Sequence, residues 1–158
     1  MVKVIVVYDS KYGNTKLVAE KIVEGIKEAE GIETAKIYVK EVSAGKLADY
    51  DAVVIGAPNH MGNPSRTISK FVDKLARLDL KAKQVAVFDT YFVRQKNFEK
   101  AMKKLEKQIS EKLPTWKLIT HGLSIKVNSV YGPIADGELP KCVEFGKKIG
   151  TELRKMSA

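Results

Sequence analysis

Short hydrogen-bonding side chains crowd the segment Ser10-Lys11-Tyr12-Gly13-Asn14-Thr15, which follows the apolar run Val2 to Tyr8 and precedes an amphipathic stretch. If the run is a strand and the stretch a helix, the unpaired N–H groups and positive dipole end of that helix point at whatever the segment holds. A phosphate monoester suits that position, and Gly13 removes a side chain where backbone must approach it. The alternative interpretation is that Ser10 and Thr15 only cap the helix.

Other kinds of site are limited by what the chain lacks. The first segment has neither the Gly-Lys-Ser/Thr ending of a triphosphate-binding loop nor the G-x-G-x-x-G dinucleotide pattern. The single Cys142 cannot form an internal disulfide, and His60 and His121 alone give no Cys/His zinc set. No Ser/His/Asp or Cys/His arrangement stands out. Redox chemistry in this chain would therefore need a bound cofactor.

Apolar runs alternate with amphipathic stretches along the chain. The runs predict five strands, at Val2 to Tyr8, Thr34 to Val39, Ala52 to Gly56, Gln84 to Asp89 and Trp116 to Ile125. The stretches predict helices whose inward faces are Val18-Ile22-Ile26-Ala29, Ile68-Phe71-Val72-Leu75-Leu78, Phe98-Met102-Leu105-Ile109 and Leu139-Val143-Gly146-Ile149-Leu153.

This alternation predicts one α/β domain over residues 1–158, with a doubly wound parallel sheet covered by helices on both faces. Ligands of such sheets bind outside the carboxyl ends of the strands. The loops after strands one, three and four are therefore the candidate site.

Two of these loops resemble the cofactor loops of the flavodoxin superfamily. Ser10, Gly13 and Thr15 match its S-x-x-G-x-T phosphate loop, and Gly56 to Pro64 is similar to its G-[AS]-P-x-[YHW]-x-G-x-P segment. The resemblance is particularly to the flavodoxin domain of A-type flavoproteins and to flavodoxin-like quinone reductases. It implies a flavodoxin-like five-stranded sheet of order 2-1-3-4-5 and FMN as the cofactor. The implied contacts in these loops are Ser10, Lys11, Tyr12, Gly13, Asn14, Thr15, Pro58, Asn59, His60, Met61 and Gly62.

The loop after the fourth strand, Asp89 to Gln95, departs from the family pattern because it contains no glycine. The resemblance still assigns Asp89, Thr90, Tyr91 and Phe92 to the cofactor, and either aromatic ring can stack on the isoalloxazine of FMN. The alternatives are that the two rings pack against the next helix and that Asp89 caps the N–H groups of this loop.

Three functions remain open. The first is an FMN-binding electron carrier between redox partner proteins, and the second is an FMN-dependent NAD(P)H:quinone oxidoreductase. The third is an FMN-free binding module with a basic surface, although the chain has no recognisable nucleic-acid motif. Turnover of a reduced nicotinamide with a quinone would separate the first two.

The formal net charge of +9 is carried mostly by lysine on the solvent faces of the predicted helices. Such an excess favours acidic partner proteins. Lys11 and Arg94 flank the candidate loops, and positive charge there favours the anionic, fully reduced flavin. The apolar run at the N-terminus is too short for a signal peptide or a membrane span, so we expect a cytoplasmic protein without membrane insertion. The pattern does not indicate an oligomeric state.

Overall fold

The computed structural model describes residues 1–92 and 99–157. The strands are β1 (Val2–Tyr8), β2 (Ile32–Tyr38), β3 (Ala52–His60), β4 (Asn63–Pro64), β5 (Gln84–Phe92), β6 (Lys117–Leu118) and β7 (Leu123–Val127). The helices are α1 (Asn14–Ile26), α2 (Arg66–Ala76), α3 (Lys100–Lys112) and α4 (Leu139–Ser157), and two short 3₁₀ helices, Val39–Glu41 and Ala44–Asp49, precede β3. The predicted alternation of strands and helices is confirmed.

A parallel sheet forms the centre of the molecule. Its order is β2-β1-β3-β5, and both β6 and β7 pair with the outer side of β5. Since β6 and β7 share the fifth position, this is the predicted order 2-1-3-4-5. The carboxyl ends of β1, β3 and β5 consequently meet at one edge of the sheet.

Helices cover both faces of the sheet, as predicted. On one face α1 and α4 bury residues such as Ile22 and Ile149, and on the other α2 and α3 bury residues such as Ile68 and Leu105. The central strands β1, β3 and β5 are buried along most of their length, which is why β1 and β3 read as continuous apolar runs. Within residues 1–92 and 99–157, no helix has both the length and the apolar composition needed to cross a bilayer.

The prediction of one unbroken fifth strand is wrong. Leu118 pairs with Val85 and Leu123 with Phe88, so five steps along this strand match three steps along β5. The surplus residues bulge away from β5. At Gly122 the bulge lies against α3: an added Cβ there would stand 2.5 Å from the sulfur of Met102. The glycine therefore accommodates the methionine side chain where the strand is interrupted.

Smaller differences concern the ends of elements. Both β3 and β5 extend three or more residues beyond the predicted limits, to His60 and Phe92. Leu78 was expected on the inward face of α2, but the helix ends at Ala76 and Leu78 is 39% exposed. Ser65 caps α2, since its hydroxyl accepts a hydrogen bond from Ile68 N. Phe98, predicted to begin the inward stripe of α3, lies outside the described residues.

Candidate functional site

A cleft of about 450 Å³ opens at the carboxyl edge of the sheet, where the loops after β1, β3 and β5 converge. Its volume lies in the usual range for small-molecule sites. Its lining residues are Ser10, Lys11, Tyr12, Asn14, Thr15, Pro58, Asn59, His60, Met61, Thr90, Phe92, Val127 and Val130. The sheet thus brings together residues from four distant segments of the chain.

The loop after β1 presents the start of α1 to this cleft. Gly13 precedes the helix with φ 92°, a conformation that suits glycine, and no side chain among the described residues caps the first turn. The Ser10 hydroxyl instead accepts a hydrogen bond from Gly13 N at 3.1 Å. The Thr15 hydroxyl lies 2.9 Å from the Thr90 hydroxyl. Neither Ser10 nor Thr15 therefore has the capping role that was the alternative to anion binding.

The loop after β3 is a tight hairpin formed by Asn59–Pro64, which we call the cleft hairpin. Its antiparallel pairs are Asn59 with Pro64 and His60 with Asn63. The two turn residues both have positive φ, 55° at Met61 and 86° at Gly62, as two-residue hairpins with the native twist require. The Asn59 side chain accepts a hydrogen bond from Gly62 N at 2.7 Å. Met61 is 92% exposed at the mouth of the cleft.

The end of β5 sends successive side chains to opposite faces of the sheet. Thr90 and Phe92 line the cleft, so Phe92 is the aromatic residue that β5 contributes to it. Asp89 and Tyr91 do not line it. The Asp89 carboxylate instead accepts a hydrogen bond from Met102 N, in the first turn of α3, at 3.2 Å. Asp89 therefore caps the first turn of α3, whereas the alternative interpretation placed it on N–H groups of its own loop.

Burial changes the acid–base behaviour of Asp89. The residue is 1% exposed, and this burial raises the pKa of its carboxyl from the ordinary 3.8 to about 7. Hydrogen bonds from the Ser124 side chain and Met102 N lower this pKa but do not offset the effect of burial. Arg94, the other charged residue expected beside this loop, lies outside the described residues.

One wall of the cleft was not predicted. Val127 and Val130 line it from the end of β7 and the following loop. Beside them the Tyr131 ring packs edge-on against the Tyr12 ring, with 4.7 Å between centroids. An added Cβ at Gly132 would lie 2.5 Å from Asn14 Oδ1, so this loop also closes against the start of α1. The carboxyl-edge rule, applied to the loop after the fifth strand, would have found this wall.

A family model described as a flavodoxin domain matches residues 5–123. The chain belongs to the flavodoxin domain family. A flavodoxin from Aquifex aeolicus is 37% identical over 73 residues, which are 46% of this chain and 40% of that protein. A flavodoxin from Clostridium saccharobutylicum is 31% identical over 88 residues, which are 56% of this chain and 55% of that protein. The chain thus spans about half the length of these curated relatives.

Solved structures agree with this family over almost the whole chain. Oxidised flavodoxin 1 from Bacillus cereus has a TM-score of 0.78 at 25% identity, covering 94% of this chain and 97% of that one. A flavodoxin from the domain Archaea has a TM-score of 0.79 at 25% identity, covering 97% and 99%. The flavodiiron core from Synechocystis has a TM-score of 0.77 at 21% identity, covering 98% of this chain and 36% of that one. At that identity the likeness shows the fold alone.

Among the predicted site residues, eleven line the cleft. These are Ser10, Lys11, Tyr12, Asn14, Thr15, Pro58, Asn59, His60, Met61, Thr90 and Phe92. Gly13 and Gly62 shape the turns next to it. Asp89 and Tyr91 are the two that the structure does not bring to the cleft.

Proposed function

We propose that this chain binds FMN in the cleft and transfers electrons between redox partner proteins. The observation that carries the proposal is the first turn of α1, which no described side chain caps and which faces a cleft of suitable volume in a flavodoxin-family fold. A helix start without its own cap provides N–H groups and a positive dipole for a phosphate.

The residues present fit FMN at both ends of the cleft. Around the start of α1, the Ser10, Asn14 and Thr15 side chains would hold the phosphate together with backbone N–H groups. Further along, Pro58, Met61, Phe92 and Val130 supply apolar surface for a flat ring system, while Asn59 and His60 supply polar atoms. FMN itself supplies the one-electron chemistry, so the protein needs to bind, orient and shield it.

The mouth of the cleft suggests the class of partner. Three exposed apolar side chains surround it, with Met61 92%, Tyr131 72% and Val130 57% exposed. Exposed lysines flank them, including Lys11 in the phosphate loop and Lys104 beside the cleft hairpin. We propose that acidic redox proteins dock on this mixed surface, with an affinity that weakens as salt concentration rises.

The experiment that tests the FMN proposal is a titration of the FMN-free protein with FMN and, separately, with riboflavin. Both share the isoalloxazine ring, and only FMN carries the phosphate. We expect FMN to bind about a hundredfold more tightly or better, because charge-assisted hydrogen bonds to the phosphate are lost with riboflavin. A protein that takes up no FMN, or binds both flavins equally, would contradict the proposal.

A further inference from the structure

Two lysines of α3 contact the cleft hairpin from outside. Lys104 Nζ donates a hydrogen bond to Asn63 Oδ1 at 2.6 Å. The methylene groups of Lys100 lie over Gly62, since an added Cβ on that glycine would stand 3.1 Å from Lys100 Cδ. The two side chains thus reach both the turn and the returning strand of the hairpin.

The hairpin depends on such contacts more than the rest of the sheet does. Its second strand, β4, has only two residues, and a two-stranded ribbon of this size is not stable by itself. Met61 adopts φ 55°, an uncommon conformation for a residue with a side chain. Such conformations persist where surrounding contacts hold them.

The first turns of α3, which carry the two lysines, are held by a hydrogen bond and by packing in the core. The buried Asp89 carboxylate accepts the hydrogen bond from Met102 N, and Met102 and Leu105 pack in the core on either side of Lys104. Lys100 and Lys104 are one helical turn apart and share one face of α3. They therefore connect a rigid element to a small and exposed one.

We propose that Lys100 and Lys104 are positioning residues that hold the cleft hairpin in place and make the second one-electron reduction of bound FMN more favourable. This inference rests on the proposed function. The second electron leaves an added negative charge on the flavin, and ammonium groups on the outer side of the hairpin that lines the cleft favour that charge. Both lysines are exposed, so solvent and salt reduce the effect without removing it.

The positioning role is tested first in the FMN-free protein by hydrogen exchange of the Gly62 amide. For Lys104→Met we expect exchange about three- to tenfold faster, as the loss of one exposed hydrogen bond predicts. The matched control is Lys103→Met, which removes the same charge from the same helix but from a lysine paired with Glu99 at 3.4 Å. Equal exchange in the two variants would overturn the positioning role.

The effect on the flavin is tested by a dithionite titration of the FMN-loaded protein, with dithionite as the electron donor. The second reduction potential should become more negative in Lys104→Met than in Lys103→Met, and Lys104→Arg should restore it. Equal shifts in both methionine variants would overturn the effect on the potential. If the protein binds no FMN, the proposed function fails by itself, and the exchange measurement still decides whether the lysines hold the hairpin.

Discussion

Two helices begin at the same edge of the sheet, and their first turns are completed differently. The first turn of α3 receives a buried carboxylate from within the fold, because Asp89 accepts the hydrogen bond of Met102 N. The first turn of α1 receives no capping side chain from the described residues and faces the cleft. Both helix ends have unpaired N–H groups and positive dipole ends, so both attract an anion.

Adjacent residues of β5 produce this difference. Asp89 points to the face covered by α3, and Thr90 points to the other face, where its hydroxyl meets that of Thr15 in α1. The Asp89 carboxylate accepts a hydrogen bond from the first turn of α3 and offsets the positive dipole end of that helix. The Thr90 hydroxyl carries no charge, so the dipole end of α1 is not offset. A helix start is therefore a candidate anion site where no carboxylate of the protein itself caps it.

Replacing Asp89 by asparagine should give the largest effect. Burial raises the pKa of Asp89 to about 7 from the ordinary 3.8. Between these values the unfolded chain releases a proton that the folded chain retains, so rising pH lowers the free energy of unfolding of the natural protein. Asparagine does not titrate and retains an acceptor for Met102 N. The free energy of unfolding of Asp89→Asn, minus that of the natural protein, should therefore rise by roughly 2 to 3 kcal/mol from pH 5 to pH 8. Urea unfolding at the two pH values measures this difference.

Glu138 provides a control, since it is another buried carboxylate at a helix start. Burial alone would raise its pKa, but hydrogen bonds from the Lys141 ammonium and Lys126 N hold that pKa below the ordinary value. Above pH 5 the Glu138 carboxyl is mostly ionised in the folded chain and in the unfolded chain alike. The stability lost in Glu138→Gln should therefore be nearly the same at pH 5 and pH 8. A pH-independent difference for Asp89→Asn as well would show that Asp89 is ionised like an ordinary carboxylate.

The contrast between the two helix ends also separates what the pattern of residues could predict from what it could not. The loop Ser10 to Thr15 was located because its residue types and its place after a buried strand are local properties. Asp89 shares a face of β5 with Val85 and Val87, but both faces of this strand are apolar, so the residue pattern does not indicate which helix covers that face. The ring contact of Tyr12 with Tyr131 joins segments far apart in the chain, so no local pattern contains it.

The sheet itself was predictable for similar reasons. Strands buried on both faces read as continuous apolar runs, and Val2 to Tyr8 was predicted with the bounds that β1 has. The interruption between β6 and β7 was missed because it follows from the fit of Met102 against Gly122, a contact between two elements. Local periodicity specified the elements, and side-chain contacts between elements specified their irregularities.

Giving α1 a carboxylate of its own should reduce the affinity for FMN. Asn14→Asp preserves the shape of a side chain that already contacts Gly132, and it adds a negative charge in the first turn of the helix. The charge favours the helix end by about 0.3 to 1 kcal/mol in the FMN-free protein but repels a phosphate. We expect FMN binding to weaken by about ten- to thirtyfold in a fluorescence titration.

The control for that variant is Thr151→Asp, which adds the same negative charge at an exposed position of α4 that does not line the cleft. It should alter FMN affinity by less than about twofold, since exposed charges outside the site are screened. Riboflavin, which lacks the phosphate, should bind the natural protein and Asn14→Asp alike. A loss of riboflavin affinity equal to that of FMN would show that the Asn14→Asp substitution disturbs the cleft as a whole.

The smallest effect concerns the contact that joins the two regions, between the buried hydroxyls of Thr15 and Thr90. Replacing either threonine by valine leaves the other hydroxyl without this partner, whereas replacing both removes the two polar groups together. In urea unfolding of the FMN-free protein, Thr15→Val with Thr90→Val should therefore be less destabilising than the sum of the single changes, by about 1 kcal/mol. Thr15→Val combined with Thr67→Val, on α2 at the other face of the sheet, should be additive. Additivity in both pairs would mean that the hydroxyl contact does not link β5 to the start of α1.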